Sequence, residues 1–231
     1  MDLSRLPLIS TTSHHANMVK NPPDIEGILR ERITRREILP GAKLKENPLA
    51  EEFGVNRARI RQALGVLEQR GLVTRIPNQG AIVATFDAES LFKIYDVFEL
   101  LEGLCARLAV QNTKPESWQD LVDLFSSTLA DAISNGNCEQ MYFAVKTYRA
   151  RTIEAADNPT LNDFLSSIWD KTEVMIRRTL ILPGRAEQSF LEHREIVAAM
   201  RAGDALKAEQ LKVESMRKAR KVLEKYKDFV L

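Results

Sequence analysis

Hydrophobic positions along this chain change rhythm three times. Ile25, Ile28, Leu29 and Ile33 recur at helical spacing behind Asp24, with Arg30, Arg32, Arg35 and Arg36 on the other faces. Leu39-Pro40-Gly41 then breaks the run with turn residues. A short helix is predicted from Asn47-Pro48, a capping residue followed by one preorganised for the first helical position. Gly54 ends it, because glycine takes the left-handed cap conformation without steric cost. Asn56 opens a second helix, in which Ile60, Ala63, Leu64 and Leu67 fall on one buried arc. Two helices separated by so short a turn must cross steeply.

The pattern next shortens into two runs, Val73 to Ile76 and Ala81 to Ala84, flanking Pro77-Asn78-Gln79-Gly80, where Asn and Gly supply the positive φ of a hairpin. From Ala88 onward it is helical almost continuously. Helices are predicted near 88–112, 115–134, 137–156, 159–181, 186–202 and 204–229, separated by short Asn-, Pro- or Gly-containing breaks. Long amphipathic helices joined by short breaks make an antiparallel bundle. The fold class is therefore mainly α: a winged helix-turn-helix over residues 23–85 joined to a helical bundle over 86–231. Residues 1–22, which include His14 and His15 and end at Pro22-Pro23, read as a flexible arm.

Charge sharpens this division. The net charge of +1 conceals 13 Lys/Arg against 9 Asp/Glu in residues 1–85 and a net acidic remainder. A basic head on a mildly acidic body fits a nucleic-acid reader carrying a second module. Arg57, Arg59 and Arg61 occupy the first turns of the second helix beside the small Ala58, so guanidiniums and backbone approach a groove together. Arginine pairs bidentately with guanine, and an exposed helix N-terminus offers amides to phosphate. Asn56, Arg57, Ala58, Arg59, Arg61, Asn78 and Gly80 are the DNA-binding candidates, and Arg30, Arg32, Arg35 and Arg36 the candidates for backbone phosphates. Cys105 and Cys138 are far apart and lack CxxC spacing, consistent with reduced cysteines in a cytoplasmic protein. No apolar run approaches a membrane span, and Leu6 to Ile9 is too short for a signal-peptide core. No triad, paired-histidine or phosphate-loop arrangement is visible, which argues against an enzyme.

Residues 25–84 resemble the winged helix of the GntR family of bacterial transcription factors. The resemblance rests on Leu49, Ala50, Glu51, Gly54, Val55, Arg57, Arg61, Ala63, Leu64, Leu67, Gly71, Leu72, Val73, Pro77, Asn78 and Gly80 in register. Asn56, Arg59 and Gln62 depart from the family's usual residues, beside the base-contacting turn, so a different operator is expected. The second half resembles the FCD effector domain of the FadR-like branch. The matching stretches are Leu101 to Ala109, Ile153 to Asn158 and Glu192 to Met200 with Gly203-Asp204. The resemblance implies a homodimer on a palindromic double-stranded operator, responsive to a small-molecule effector.

Many relatives hold a divalent metal in the bundle at positions that here carry Val145, Arg149, His193 and Ser215. Valine has no lone pair and arginine repels a cation, so no metal and no cofactor are expected. Arg149, helped by His193 and Tyr148, then becomes the candidate anchor for an effector carboxylate, against the alternative that it pairs internally with Glu192 or Glu154. Phe98 stands where many relatives carry an Arg, implying a less polar pocket. The rival function classes are a metal-sensing regulator of the same fold and a helical scaffold without DNA binding.

Overall fold

The computed structural model describes residues 23–76, 80–85 and 88–227. The N-terminal arm, Pro77-Asn78-Gln79, Phe86-Asp87 and the end of the helix expected near 204–229 lie outside the described residues.

The head begins with α1 (Ile25–Thr34), whose first turn is closed by Asp24 Oδ1 accepting from the Gly27 amide at 2.9 Å. Its apolar side packs Leu29 against Ile60, Leu64 and Leu67 of α3 (Arg57–Gln69), all essentially inaccessible. Between them lie β1 (Lys43–Leu44) and α2 (Glu46–Phe53). The wing is β2 (Val73–Ile76) and β3 (Gly80–Val83), paired antiparallel with Val73 opposite Val83 and Ile76 opposite Gly80. Strand β1 adds to the other edge of β3, giving the order β1-β3-β2. This two-residue strand is too short to leave a periodic signal, and the sequence reading missed it.

Helix α2 also starts earlier than Asn47-Pro48 predicts. Lys45 is its N-cap and makes no side-chain cap bond, so Asn47 lies inside the first turn. The other end follows expectation: Gly54 sits at φ 62°, and its amide reaches back to the carbonyls of Ala50 and Glu51. Two residues later the Asn56 side chain caps α3 by accepting from the Arg59 amide at 3.0 Å.

The bundle opens with α4 (Ala88–Asn112). The helix expected over 115–134 is three pieces: a 3-10 turn at Pro115–Trp118, α5 (Gln119–Leu124) and α6 (Ser127–Ser134). The chain leaves helical geometry at Phe125-Ser126, where Ser126 is extended at φ −89°, ψ −177°. Phe125 there stacks on the ring of His193 at 5.3 Å, a tertiary contact that overrides local helical preference. Then follow α7 (Cys138–Ala156), α8 (Pro159–Leu180), α9 (Arg185–Arg201) and α10 (Ala205–Lys225). Gly103 lets α4 and α10 approach closely, since a Cβ there would lie 2.5 Å from Val213 Cγ2.

Head and bundle meet along α8, and charged pairs dominate the seam. Asp170, 5% exposed, faces Arg30 at 3.6 Å and Arg70 at 3.4 Å, and Arg70 also holds Glu26 at 3.0 Å. Arg177 reaches Glu31 at 2.8 Å, while Arg35 reaches Glu139 at 3.3 Å. The cationic side of α1 therefore faces the bundle, contrary to the expectation that it follows DNA phosphates. Arg30 and Arg35 pair across the seam, Arg36 lines a cleft there, and Arg32 turns to Glu52 of α2.

Candidate nucleic-acid interface and bundle cavity

The first turn of α3 projects from the head because its other side carries Ile60 and Leu64 into the core. Arg57 and Arg61 are thereby exposed, with 61% and 55% of their side chains accessible. Together with Lys43, Lys45 and Arg75 they rim a concavity of about 700 Å³ between α3, the start of α2 and the wing strands, which Gly80 also lines at φ 85°. Five cations on one concave face suit a polyanion.

A carboxylate organises this face. Glu46 accepts from Arg61 Nε at 2.9 Å and Nη2 at 2.8 Å, and from Arg57 Nη2 at 3.3 Å. Its pKa is drawn down to about 2, chiefly by the hydrogen bond from Arg61, so it remains charged at any neutral pH. Arg75 bridges α3 and the wing, holding Glu68 at 2.9 Å and donating to the Arg61 carbonyl at 3.3 Å. The forked pairing with Glu46 fixes the plane and direction of the Arg61 guanidinium.

Of the DNA-binding candidates, the structure brings Arg57, Arg61 and Gly80 into one concavity. Asn56 and Ala58 are exposed beside it, with the Asn56 side chain engaged in its cap. Arg59 is exposed but lines a different cleft, with Asp24 and Glu26. Asn78 lies outside the described residues. Lys43, Lys45, Glu46 and Arg75 were missed. Glu46 precedes Arg61 by fifteen residues, and no local spacing announces a pair that only the helix crossing creates.

The bundle buries a second polar constellation. Arg149 does not line the cavity that His193 lines. Its guanidinium pairs with Glu102, donates to the Leu165 carbonyl at 3.4 Å and lies 4.1 Å from the Trp169 ring centroid. Lys212 holds the other Glu102 oxygen at 3.2 Å. The internal-pair alternative thus describes Arg149, although the partner is Glu102 and neither Glu192 nor Glu154. Burial raises the cost of the Glu102 carboxylate, but Lys212 and Arg149 outweigh it and its pKa is lowered.

Val145, His193 and Ser215 do converge, on a cavity of about 40 Å³ that Tyr95, Ser189 and Arg185 also line. His193 Nδ1 donates to the Ser189 carbonyl at 2.8 Å, which leaves Nε2 as a lone-pair acceptor with no protein partner. Burial, then the charge of Lys212, pushes the His193 pKa down to about 3, so the ring is neutral. Its edge meets the ring of Tyr148, whose buried hydroxyl also lacks a protein partner.

Arg185 is the cation of this cavity. It is 4% exposed, occupies the first position of α9 and holds Glu192 Oε2 at 2.9 Å, while Nε and Nη1 find no protein acceptor. A positive side chain at a helix N-terminus opposes the helix dipole. Burying it there makes the spot strongly receptive to an anion. Sequence reading passed over Arg185, which follows the Pro183-Gly184 break and looks like an ordinary first-turn residue. The same residues do not form a metal donor set: one imidazole nitrogen, a Ser215 hydroxyl already donating to Glu192 at 2.7 Å, and a guanidinium offer too few lone pairs and the wrong charge.

Comparison with known proteins places both halves. The family described as bacterial regulatory proteins, gntR family, matches residues 23–83, and the FCD domain matches residues 93–218. The uncharacterized HTH-type transcriptional regulator YdhC of Bacillus subtilis is 28% identical over 73% of this chain and 75% of its own length. The HTH-type transcriptional regulator McbR of Escherichia coli is 24% identical over 78% of this chain and 82% of its own. The solved structure of E. coli McbR/YncC aligns with a TM-score of 0.74 at 22% identity, covering 88% of this chain and 96% of that one.

Proposed function

The chain belongs to the GntR family of bacterial regulatory proteins and is a transcriptional regulator with an FCD domain; we propose that it acts in the cytoplasm as a homodimer on a palindromic operator. We further propose that it answers to a small anionic molecule taken up by the bundle. One observation carries the DNA reading: Arg57 and Arg61 stand exposed at the start of α3, aimed by Glu46 into a basic concavity closed by the wing. Arg61 reads a base edge, and Lys43, Lys45 and Arg75 follow phosphates.

Dimerisation is supported by α4. Ile94, Val97, Leu101, Leu104 and Leu108 form a stripe at helical spacing, with Leu100 beside it, and Val97 and Leu100 are 54% and 59% exposed. A second copy covering this stripe sets the separation of the two reading helices, about 34 to 36 Å for successive major-groove faces. Replacing Val97 and Leu100 together by glutamate should yield monomers by sedimentation.

The effector reading moves the anchoring cation from Arg149 to Arg185. Its uncommitted Nε and Nη1 donate to a carboxylate, and His193 Nε2 accepts from a donor on the same molecule. The bundle works in this reading without a resident metal. The cavity of about 40 Å³ must widen to admit such a ligand. Ile176, Thr179 and Leu180 of its wall lie on α8, whose other residues Asp170 and Arg177 hold the head. Widening therefore shifts the population of head arrangements.

The test is selection of duplex DNA from a random pool, followed by gel shifts with Arg61→Ala. The wild type should enrich a palindrome, and the variant should bind it more weakly by about 1 to 3 kcal/mol while folding normally. Unchanged operator affinity sinks the reading.

A further inference from the structure

Half of α3 faces away from the core. Ile60, Ala63, Leu64 and Leu67 are buried on one side. A period of about 3.6 residues then puts Ala58, Gln62, Gly65 and Gln69 along the opposite midline, with Arg57 and Arg61 on one flank and Arg59 on the other. The flanks open onto different concavities: Arg57 and Arg61 line the one closed by the wing, while Arg59 and Gln62 line the one beside the start of α1. Between them the midline forms a ridge, the part of a reading helix that goes deepest into a major groove.

The side chains on this ridge are unequal. Ala58 is exposed and offers a methyl group. Gly65 offers none, and a Cβ built there would meet Arg75 Nη2 at 3.6 Å, an ordinary contact. Gln69 lies at the far end of the helix, in a cleft it shares with Trp169 and Asp170 of the bundle. Gln62 is therefore the long side chain of the projecting half, exposed and one turn beyond Ala58. Its carboxamide makes no hydrogen bond to a described residue, although the carboxylates of Asp24 and Glu26 line the same cleft. Both of those are engaged elsewhere. Asp24 Oδ1 accepts from the Gly27 amide at 2.9 Å, and Glu26 holds Arg70 at 3.0 Å.

We propose that Gln62 selects an adenine in the operator, on a base pair neighbouring the one that Arg61 reads. The assignment rests on the reading of the α3 face given above. A carboxamide carries an acceptor and a donor side by side in one plane, and the major-groove edge of adenine presents the complement, an N6 amino group beside the N7 acceptor. Guanine shows two acceptors there, which suits the all-donor fork of Arg61 and leaves the glutamine carbonyl unmatched. Cytosine shows one donor and thymine one acceptor, so each satisfies half of the carboxamide. A neutral amide also sits beside Arg59 and Arg61 without competing with the duplex for their guanidiniums, as a carboxylate at this position would.

The experiment starts from the operator that the wild-type chain selects out of random duplexes. Each base pair of one half-site is substituted in turn, and gel shifts give the affinity of wild type, Gln62→Ala and Arg61→Ala. Wild type should lose about tenfold or more at one A·T pair. Gln62→Ala, an exposed change that should leave the melting temperature in place, should bind the operator about tenfold more weakly, show no preference at that pair and keep its preferences elsewhere. Replacing that adenine by 7-deazaadenine, which lacks the N7 acceptor, should weaken wild type and leave Gln62→Ala unaffected; equal loss in both overturns the assignment. Weakening by Gln62→Ala that is the same for every sequence also overturns it, because a contact to phosphate carries no base preference. So does an operator whose preferences all survive Gln62→Ala while Arg61→Ala relaxes them. If no duplex is enriched at all, the reading of α3 itself fails, and the assignment with it.

Discussion

Glu46 is an unexpected residue to find on the surface proposed to read DNA, since a carboxylate among phosphates repels. Its geometry resolves the difficulty, because both of its oxygens are taken by Arg61, with Arg57 on one of them. It trades electrostatic attraction for direction. Glu46→Gln should therefore strengthen binding to scrambled duplexes while lowering the preference for the operator by about 1 kcal/mol, roughly fivefold. Paired titrations on specific and scrambled DNA will show whether the ratio falls. His193 offers a second residue-scale measurement. Its folded pKa of about 3 lies below the ordinary 6.5, so below pH 6.5 the unfolded chain takes up a proton that the folded chain refuses. This contribution to stability is complete above pH 6.5 and shrinks as pH falls towards 3, with a slope of up to about 1.4 kcal/mol per pH unit. His193→Gln should flatten the acid limb of a denaturation series between those values. An unchanged limb means that other groups set it.

At the scale of elements, Gly103 lets α4 and α10 pack closely. Gly103→Ala gains helix propensity yet drives a methyl against Val213, and overpacking of this kind typically costs about 1 to 3 kcal/mol. A lower melting temperature with unchanged helical content would fit; a rise would mean that α10 yields freely. Elements were also where the sequence was most legible. The ends of α4 agree with the pattern because Asn112 to Lys114 breaks a long period, and Gly54 and Asn56 announce the turn between α2 and α3 by their own chemistry. The kink at Phe125-Ser126 was hidden, since no Gly or Pro marks it and its cause is the distant ring of His193. Arg149 shows the same limit at the site. Its spacing from Val145 placed it correctly on α7, but which way its guanidinium turns is decided by Glu102 on another helix. Arg185 went unnoticed because burial, and not residue type, makes it unusual.

For the whole molecule, α8 is the piece that head, seam and bundle cavity share. It supplies Asp170 and Arg177 to the head, Arg178 to the seam cleft and Ile176, Thr179 and Leu180 to the bundle cavity. Asp170→Asn removes the charge that Arg30 and Arg70 face, so the head should loosen without unfolding. The expected outcome is faster hydrogen exchange along α1 and the end of α3, with protection in α4 and α10 retained. Response of DNA binding to an effector should weaken in the same variant, because coupling needs a shared element with two arrangements.

The polar seam carries one more consequence, for anyone measuring operator affinity against ionic strength. Added salt screens the more exposed seam pairs, Arg35 with Glu139 and Arg70 with Glu26, in the same concentration range that competes counterions back onto a duplex. The logarithmic slope of such a plot then sums ion release from the nucleic acid with undocking inside the regulator, and counts more backbone contacts than α3 and the wing make. Repeating it with head and α8 tethered by a disulfide would separate the two contributions.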